Sequence, residues 1–338
     1  MKRTGNLINN ISELNNLQLA FWKSQRGKQS REEVINYRNN LQTNLLYLRK
    51  QILSGSIDVG NYHYFTIHDP KERTICAASF PERVLHHALI NVCHPVFEKH
   101  QIYHSYATRI GKGTYKALAR AKENQNKYKF YLKLDVRKYF DSISHKILYS
   151  KLETILKDPM LLYIFYQIID SYRSNLSDTF KVSDRLGLPI GNLSSQYFAN
   201  HYLASADHYI KNTLRIKGYV RYMDDMILWH NNKNELLQAG NKILKYLENI
   251  LKLDLKIFSL NKSIYGVNFV GYQIFPNKIL LSKRSKKRFT HKYKEYTYKL
   301  NSGEWSEAEY QNHILPLFAF TQHAYTKQFR KQILEKRK

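Results

Sequence analysis

Apolar residues recur at helical spacing in the first part of the chain. The stripe from Val34 to Ile52 falls on one helical face, which predicts a single packing helix. Ser30 followed three residues later by Glu33 has the form of a capping box, and Gly55 has the form of a helix end. The N-terminal segment is therefore predicted to be helical and to serve packing.

After residue 56 the helical spacing of apolar residues ends, and the sequence takes on the two-residue alternation of β-strands. Residues 62–67 (YHYFTI) and 73–78 (RTICAA) have the pattern of two strands, and Asp69-Pro70 predicts a turn between them. Pro81 then stands at the favoured first position of an apolar helix. These features predict a hairpin followed by a buried helix.

A third strand pattern leads directly into an acidic residue. Phe130, Leu132 and Leu134 point to one side of the predicted strand, and Asp135 follows at its end. Packing explains an acid at the end of a buried strand poorly, whereas metal binding explains it well. Asp135 is therefore a candidate metal ligand.

A pair of adjacent acids marks a later hairpin. Residues 218–230 (GYVRYMDDMILWH) hold two runs of strand formers on either side of Met223-Asp224-Asp225, which predicts a β-hairpin with the carboxylates at its tip. Carboxylates held close together repel, and a bound divalent cation is the usual compensation. A solvated Asp-Asp turn is the alternative for this pair alone, since aspartate is common in turns.

Two loops suit a nucleotide. Residues 186–201 (LGLPIGNLSSQYFANH) predict a glycine-containing turn before a helix, and small residues there let a flat ligand approach the backbone closely. Residues 105–113 (SYATRIGKG) form a basic loop in which Arg109, Lys112 and exposed backbone N–H groups suit a phosphate chain. The second signal is weak by itself, because many turns contain the GKG sequence.

The net charge indicates the class of ligand. Fifty-four lysines and arginines against 27 aspartates and glutamates give a net charge of +27. Such an excess attracts a polyanion, and the interleaving of basic residues with tyrosines favours nucleic acid over a membrane surface. A basic block at residues 283–288 is expected to contact the nucleic-acid backbone.

The sequence gives little support for a disulfide framework, a zinc site, a membrane span or secretion. Cys76 and Cys93 lie in no CxxC pair, and the neighbouring His86, His87 and His94 lack a closed four-ligand spacing, so packing is the expected role of this cluster. No apolar run approaches the roughly 18–20 residues needed to span a bilayer. The N-terminus lacks the apolar core of a signal peptide, so a cytosolic protein is the default expectation.

Several motifs together resemble a reverse transcriptase over roughly residues 60–280. They are Asp135 with Phe140, the Gly191/Ser195 loop, Tyr222-Met223-Asp224-Asp225, Lys262 and the GYQIFP hairpin, and the upstream SYATRIGKGT resembles the fingers motif of bacterial enzymes of this type. The resemblance implies an α+β, right-hand polymerase fold. The expected domains are an N-terminal helical extension (1–58), fingers (59–128), a palm (129–280, with part of the fingers at 160–190) and a helical basic thumb (281–338).

One of these motifs departs from the usual reverse transcriptase sequence, and the departure indicates a subtype. Most reverse transcriptases carry QGxxxSP before this helix, whereas residues 190–196 read IGNLSSQ, the IGxxxSQ form. That form, in a chain that lacks endonuclease and RNase H segments, resembles the reverse transcriptase of a diversity-generating retroelement, encoded by a bacterium or phage and cytoplasmic. Such enzymes copy a template-repeat RNA into cDNA with errors at adenines, and the cDNA replaces a variable repeat in a target gene.

The resemblance also implies cofactors and partners. The cofactors are two Mg²⁺ ions, for which Mn²⁺ can substitute. The partners are a template RNA with structured flanks, a DNA or RNA primer, the cDNA product, dNTPs and a small basic oligomeric accessory protein. No membrane partner is implied.

Roles for individual residues follow from the same resemblance. Asp135, Asp224 and Asp225 would bind the metal ions together with the backbone carbonyl of Val136, and Lys262 would protonate the pyrophosphate leaving group. The residues expected to contact the dNTP or the template are Arg73, Arg109, Lys112, Val136, Phe140, Ile190, Gly191, Gln196 and Tyr222. Gly271 and Tyr272 would form the primer grip.

Two of these residues carry a hypothesis about selectivity. Phe140 would lie beneath the sugar and exclude a 2′-hydroxyl, although a core phenylalanine is the competing interpretation. Ile190 replaces a glutamine that would hydrogen-bond near the templating nucleotide. Losing that polar constraint is expected to loosen the geometric selection of the base pair.

Three other functions are compatible with parts of this pattern. A reverse transcriptase of retron or group II intron type would lack the mutagenic role, and the IGxxxSQ loop counts against the intron type. A degenerate polymerase fold that only binds RNA is disfavoured by the complete set of Asp135, Asp224 and Asp225. An RNA-dependent RNA polymerase is disfavoured by Phe140, because such enzymes need room or polarity for a 2′-hydroxyl.

Overall fold

The computed structural model describes residues 2–68, 72–174, 185–256 and 258–335. Its helices are α1 (Ile8–Ser12), α2 (Leu14–Ser24), α3 (Glu32–Asn39), α4 (Leu41–Ser54), α5 (Phe80–Lys99), α6 (Thr114–Lys127), α7 (His145–Ile155), α8 (Pro159–Asp170), α9 (Leu193–Tyr202), α10 (Ala204–His208), α11 (Lys233–Leu251), α12 (Lys283–Asn301), α13 (Glu307–Thr321) and α14 (Lys327–Glu335). Its strands are β1 (Tyr62–Ile67), β2 (Arg73–Ala78), β3 (Phe130–Asp135), β4 (Gly218–Tyr222), β5 (Asp225–His230), β6 (Ser259–Lys262), β7 (Val267–Phe269), β8 (Tyr272–Ile274) and β9 (Ile279–Leu281).

Backbone contacts divide the chain into two compact units. The first unit comprises residues 1–103, 136–209 and 243–256, and the second comprises residues 104–135, 210–242 and 257–338. Each unit is assembled from separated stretches of sequence. The four-domain division expected from the resemblance stays a prediction.

Helix α5 lies at the centre of the first unit. It begins at Phe80, so Pro81 is its second residue rather than the predicted first, still within the first turn, where no N–H donor is needed. The helix packs against α2 and α9. Its buried Phe97 contacts Phe165 of α8 and Phe198 of α9, with ring centroids 6.4 and 6.2 Å away, so this helix joins the N-terminal helices to the rest of the unit.

The β1–β2 hairpin in the first unit matches the prediction. The two strands pair antiparallel, from Tyr62 opposite Ala78 to Ile67 opposite Arg73. The predicted turn at Asp69-Pro70 lies outside the described residues.

The predicted single helix after residue 30 is wrong in its length and in its cap. Helix α3 ends at Asn39, Asn40 has φ −118° and ψ 32°, and α4 starts afresh at Leu41. The N-cap of α3 is Arg31 and has no side-chain capping bond, so Ser30 and Glu33 form no capping box. The predicted end is confirmed, since Gly55 follows α4 with φ 71°, a conformation that glycine adopts easily.

A four-stranded antiparallel sheet, in the order β4-β5-β3-β6, lies in the second unit. The predicted hairpin is its β4–β5 pair, and the predicted strand before Asp135 is β3, which pairs with β5. Tyr131 is buried like Leu132 and Leu134, so both faces of β3 are covered rather than one. The indole N–H of Trp229 in β5 donates to Gln125 Oε1 at 2.7 Å, which joins α6 to the sheet.

The rest of the second unit is a smaller sheet and a group of helices. The predicted hairpin after residue 266 is confirmed as β7–β8, and β9 adds a third strand to it. Phe289, Tyr293 and Ile314 form the buried centre of the contact between α12 and α13. The mixture of helices with antiparallel sheets confirms the α+β class. Among the described helices, none combines the length and the apolar character that crossing a bilayer requires.

Candidate active site

The tip of the β4–β5 hairpin is a tight turn that carries two half-buried acids. Tyr222 pairs with Asp225, which leaves Met223 and Asp224 as the two-residue connection. Met223 has φ 54°, and two-residue hairpin turns commonly require such a left-handed conformation. The guanidinium of Arg221 is fully buried and donates to the carbonyl of Met223 at 3.0 Å. A buried cation thus holds the strained residue of the turn, which the sequence pattern did not reveal.

Asp135 lies opposite Asp225 in the sheet. The β3–β5 register pairs these two residues at the end where the hairpin turns. Directly opposed residues in antiparallel strands point to the same face with Cβ atoms about 4.5–5.5 Å apart. Two acids that are 90 positions apart in sequence are therefore neighbours on one sheet face, with Asp224 next in the chain.

Lys133 is the nearest positive charge to Asp225. Its ammonium nitrogen lies 3.0 Å from each carboxylate oxygen and also donates to the carbonyl of Asn268 at 2.7 Å. The pKa of Asp225 is raised to about 6, mainly because the carboxyl is buried; the Lys133 ammonium opposes this rise, and the charges of Asp224 and Asp135 add to it. The sheet therefore places Lys133 beside acidic side chains at this end of β3 and β5.

The tyrosine of the turn motif is tied to the basic loop. The Thr114 hydroxyl donates to the Tyr222 hydroxyl at 3.0 Å, at the start of α6. Arg109 Nη1 donates to the carbonyl of Ser105 at 2.7 Å, and the Lys112 ammonium lies 5.2 Å from the centre of the Tyr106 ring. Arg109 and Lys112 thus belong to the same unit as the three acids and contact other residues of their own loop.

In the first unit, the segment 190–196 is held against the β1–β2 hairpin. The N–H of Cys76 donates to the carbonyl of Ile190 at 2.9 Å, and the N–H of Ala78 donates to Asn192 Oδ1 at 3.3 Å. Gly191 has φ 138°, and a Cβ there would lie 2.8 Å from the carbonyl oxygen of Cys76. Glycine is required at this position both by its conformation and by the approach of β2.

The other predicted residues of the first unit are Val136, Phe140, Arg73 and Gln196. Val136 follows the sheet acid directly, is buried and forms a bridge with Leu255. Phe140 is half-buried in a short 3₁₀ segment, and its ring contacts Tyr139 with centroids 5.8 Å apart. It is therefore not a fully buried core residue. Arg73 and Gln196 have exposed side chains, on β2 and in the first turn of α9.

A sequence profile of one protein family matches most of this region. The profile, described as "Reverse transcriptase (RNA-dependent DNA polymerase)", covers residues 68–274, which is more than half of the chain and includes all three acids. The chain belongs to the reverse transcriptase family. Membership agrees with the mixed, antiparallel architecture and with the right-hand polymerase class expected from the motifs.

Two yeast proteins are related to this reverse transcriptase. The COX1/OXI3 intron 1 protein of Saccharomyces cerevisiae is 21% identical over 227 residues, covering 64% of this chain and 27% of the relative. The COX1/OXI3 intron 2 protein of the same yeast is 24% identical over 336 residues, covering 78% of this chain and 38% of the relative. The chain thus spans well under half the length of either relative.

Solved structures of telomerase also show similarity to the chain. The telomerase of Candida albicans, solved with a telomeric RNA fragment, has a TM-score of 0.46 at 14% identity, over 80% of this chain and 54% of that one. The apo telomerase of Candida tropicalis has a TM-score of 0.49 at 11% identity, over 68% of this chain and 48% of that one.

The reverse transcriptase carboxylates fit a divalent cation in charge and in donor type. Asp225 Oδ1 is buried and, among the described residues, has no partner in hydrogen-bond alignment, although Lys133 lies close. Hard oxygen donors are what Mg²⁺ prefers, and it keeps water or substrate phosphate in its remaining positions. The described residues contain no group of three His, Cys, Asp or Glu side chains close enough to enclose a metal. Substrate oxygens would therefore have to supply part of the ligand set.

Lys262 does not lie beside these carboxylates. The β3–β6 register pairs it with Phe130, at the opposite end of β3 from Asp135. Phe130 and Asp135 are five positions apart along the strand, which is about 17 Å at roughly 3.3 Å per residue. The predicted transfer of a proton from Lys262 to pyrophosphate does not fit this position, because a lysine side chain cannot reach that far.

The side chain of Tyr272 does not fit a primer contact. It is fully buried, its hydroxyl donates to the carbonyl of Phe320 at 2.6 Å, and burial raises its pKa. Gly271 has φ 89°, and its carbonyl accepts the Ser285 hydroxyl at 2.6 Å. The predicted primer grip is thus anchored to α12 and α13, so only the backbone of its turn is a candidate for primer contact.

Cys93, His86 and His94, for which the sequence predicted a packing role, all lie on α5. Cys93 is fully buried, His94 Nδ1 lies 3.0 Å from the Tyr197 hydroxyl, and His86 Nδ1 lies 3.0 Å from the Ser194 hydroxyl. The hydrogen bonds join α5 to α9.

Proposed function

We propose that this chain is an RNA-directed DNA polymerase, which joins a primer 3′-hydroxyl to the α-phosphate of a dNTP. In this reaction the O3′–Pα bond forms, the bond from Pα to pyrophosphate breaks, and the hydroxyl proton passes to solvent water. The observation that carries the proposal is the pairing of Asp135 with Asp225 beneath the Asp224 turn, inside the region that matches the reverse transcriptase family.

Asp135, Asp224 and Asp225 would hold the metal ions in this proposal, with the Val136 carbonyl as a further ligand. Two bound Mg²⁺ ions, or Mn²⁺ in their place, would polarise the attacking hydroxyl and stabilise the leaving pyrophosphate. The buried Arg221 keeps the turn in shape, since its bond to the Met223 carbonyl fixes the residue before Asp224. Lys133 orients Asp225 through both carboxylate oxygens.

The remaining predicted residues would contact the nucleotide and the template. Arg109 and Lys112 would bind the triphosphate from the basic loop, and Arg73 would do so from β2. Phe140 would pack beneath the sugar, and its half-buried ring leaves a face for that contact. The segment 190–196 would lie against the base pair, with Gly191 giving the closest backbone approach.

We further propose that the polymerase is of the diversity-generating type, which copies a template-repeat RNA with errors at adenines. The IGNLSSQ segment supports this, because an apolar Ile190 stands where a glutamine would constrain the base pair. The expected partners are a template RNA with structured flanks, a DNA or RNA primer and a small basic oligomeric accessory protein. A cytoplasmic enzyme of bacterial or phage origin is part of the same proposal.

A group II intron type is the second candidate, because both related yeast proteins are named as intron proteins. The flanking DNA distinguishes the two. Paired imperfect repeats that differ at adenines indicate the diversity-generating type, whereas intron sequence on both sides indicates the other.

Primer extension tests the proposed chemistry and the proposed subtype together. The purified chain is given a DNA primer on an RNA template with Mg²⁺ and dNTPs, and the product is sequenced. We expect dNTP-dependent extension with errors concentrated opposite template adenines. Absence of extension under both Mg²⁺ and Mn²⁺ would reject the polymerase, and extension with errors spread evenly over the four bases would reject the mutagenic subtype alone.

Ile190→Gln tests the origin of the errors. We expect the variant to lower misincorporation opposite adenine several-fold, because a polar group that needs a partner discriminates against misaligned pairs. Ile250→Gln on the exposed face of α11 is the matched control and should keep the original error spectrum. An unchanged spectrum in Ile190→Gln would sink this explanation.

A further inference from the structure

A buried polar chain joins α5 to two other parts of the first unit. Glu82 and His86 stand one helical turn apart on α5, and the side chains of both are at most 1% exposed. Glu82 Oε2 accepts the N–H of Gly60 at 3.1 Å, and His86 Nδ1 lies 3.0 Å from the Ser194 hydroxyl. Glu82 Oε1 and His86 Nε2 face each other at 3.3 Å.

Packing alone does not account for these residues. Moving a carboxylate and an imidazole out of water costs several kcal/mol unless hydrogen bonds and charge compensate. Here the compensation is incomplete, because neither Glu82 Oε1 nor His86 Nε2 has an aligned hydrogen bond among the described residues. Leu85 and Leu89 on the same helix show that apolar side chains can be buried there. The polar pair therefore has a positional role that apolar residues could not fill.

The polar chain closes a ring of contacts. Gly60 lies two residues before β1, so Glu82 holds the first strand of the β1–β2 hairpin. The last residue of β2, Ala78, donates to Asn192 Oδ1. Ser194 lies two residues beyond Asn192, and its hydrogen bond with His86 closes the ring. Hairpin, segment 190–196 and α5 are thus tied together at three points.

This ring fixes the two elements to which nucleotide contacts were assigned. The β1–β2 hairpin carries Arg73, and its middle strand residue Cys76 donates to the carbonyl of Ile190 at 2.9 Å. Gly191 has no room for a Cβ beside Cys76, so any change in the distance between the β1–β2 hairpin and the segment 190–196 changes the contact between these two residues. The position of the segment against the hairpin therefore depends on the hydrogen bonds that hold the ends of both elements.

We propose that Glu82 and His86 are positioning residues, which set the segment 190–196 against the β1–β2 hairpin through Gly60 and Ser194 and thereby determine the affinity for the incoming dNTP. The proposal deepens the polymerase function and rests on it. Because the ring contains none of the three acids, its loss should weaken dNTP binding and leave the chemical step intact.

Ser194→Ala is the direct test, in single-dNTP incorporation on a primed RNA template. We expect the dNTP KM to rise about tenfold, the scale of one buried hydrogen bond, while kcat stays within about threefold. Ser24→Ala is the matched control, since Ser24 is also buried but its hydroxyl donates to a carbonyl of its own helix, that of Phe21 at 2.8 Å. Both variants should lose similar thermal stability, so a KM rise confined to Ser194→Ala is not an effect of stability.

Glu82→Gln supplies a second test, because glutamine keeps an acceptor for Gly60 and removes the charge beside His86. If Glu82 and Ser194 act through the same series of hydrogen bonds, the double variant Glu82→Gln/Ser194→Ala should raise KM by less than the product of the two single-variant factors. An unchanged KM in Ser194→Ala, a rise equal to that of Ser24→Ala, or fully multiplicative effects would each overturn the inference while the polymerase proposal stands. A wild-type chain without dNTP incorporation would reject the polymerase and this inference with it.

Discussion

Single residues at the candidate site divide into those that a motif can indicate and those that only the fold can place. Asp135, Asp224 and Asp225 could be predicted, because acids beside strand patterns have few structural explanations. Lys133 and Arg221 could not, because a lysine or arginine in a strand usually faces solvent. Their roles depend on the β3–β5 register and on the shape of the turn, which put them against Asp225 and Met223.

Register also explains the two residue assignments that do not fit. The role of Lys262 was predicted from its order among the motifs, and this order does not determine beside which end of β3 the residue lies. Tyr272 follows a half-buried turn, and its own side chain points into the core beside Phe320. Strand register decides the position of Lys262, and the alternation of side chains between the two faces decides the orientation of Tyr272; a motif reports neither.

Lys133→Met tests the role of the neighbouring cation. The ammonium lies 3.0 Å from both oxygens of Asp225, where it competes with any metal for that carboxylate. Its removal should therefore tighten Mn²⁺ binding about tenfold, since even a well-screened charge at this distance is worth more than 1 kcal/mol. Binding is measured by the loss of the free Mn²⁺ electron paramagnetic resonance signal. Lys129→Met, exposed at the start of β3, is the control, and equal or weaker binding in Lys133→Met would contradict this role.

At the scale of elements, strands and their connections were easier to predict than helix ends. The β1–β2 and β4–β5 hairpins follow from alternation and turn residues. The break between α3 and α4 was missed because the apolar stripe continues across Asn40, and a stripe cannot show that the backbone leaves the helix. The Ser30 capping box was wrong because α3 begins two residues later, whereas Ser306 and Glu309 form a real one at α13.

Ser306→Ala tests that capping box. The Ser306 hydroxyl accepts the N–H of Glu309 at 3.3 Å, and the Glu309 carboxylate accepts the N–H of Ser306 at 2.9 Å. Loss of such a cap typically lowers the free energy of unfolding by about 1 kcal/mol. Ser302→Ala, in which an exposed hydroxyl at the end of α12 is removed, should change it much less. Equal losses in both variants, measured by urea denaturation, would contradict the assignment.

The same cap predicts the sign of one pH effect. Hydrogen bonds from the Ser306 backbone and hydroxyl lower the pKa of Glu309. A carboxyl with a lowered pKa in the folded state stabilises it fully above its unfolded pKa, and the contribution is lost as the pH falls through the folded value. The difference in unfolding free energy between wild type and Ser306→Ala should therefore shrink on acidification from neutral pH. A difference that grows as the pH falls would contradict the cap.

At the scale of the whole molecule, charge and family agree. A net charge of +27 suits a protein that holds a nucleic-acid backbone, and the reverse transcriptase match covers residues 68–274. The class of ligand could thus be predicted from composition alone. The two compact units could not, because each combines stretches of chain that no linker or shift of composition separates.

Salt dependence tests the contribution of the basic helix α12. Lys283 and Lys287 are exposed one turn apart, so we expect both to contact phosphates of a primer–template duplex. The variant Lys283→Gln/Lys287→Gln should reduce the slope of log affinity against log salt by about 1.5, or roughly 0.7–0.9 per lost contact. Lys242→Gln/Lys245→Gln on α11 removes the same charge and should leave the slope nearly unchanged. Equal slopes for the two double variants would contradict a specific role of α12.

The central claim is that the acids at the end of the β3–β5 pair catalyse DNA synthesis on an RNA template. Asp224→Asn tests it most directly, because the amide keeps the size of the side chain and removes the charge that a metal ion requires. The measurement is the single-turnover rate of one dNTP addition to a DNA primer on RNA, with thermal unfolding as a check on the fold. We predict a rate loss of about a thousandfold or more at an unchanged melting temperature, since metal stabilisation of the transition state is worth several kcal/mol. A rate within about threefold of wild type would contradict the account.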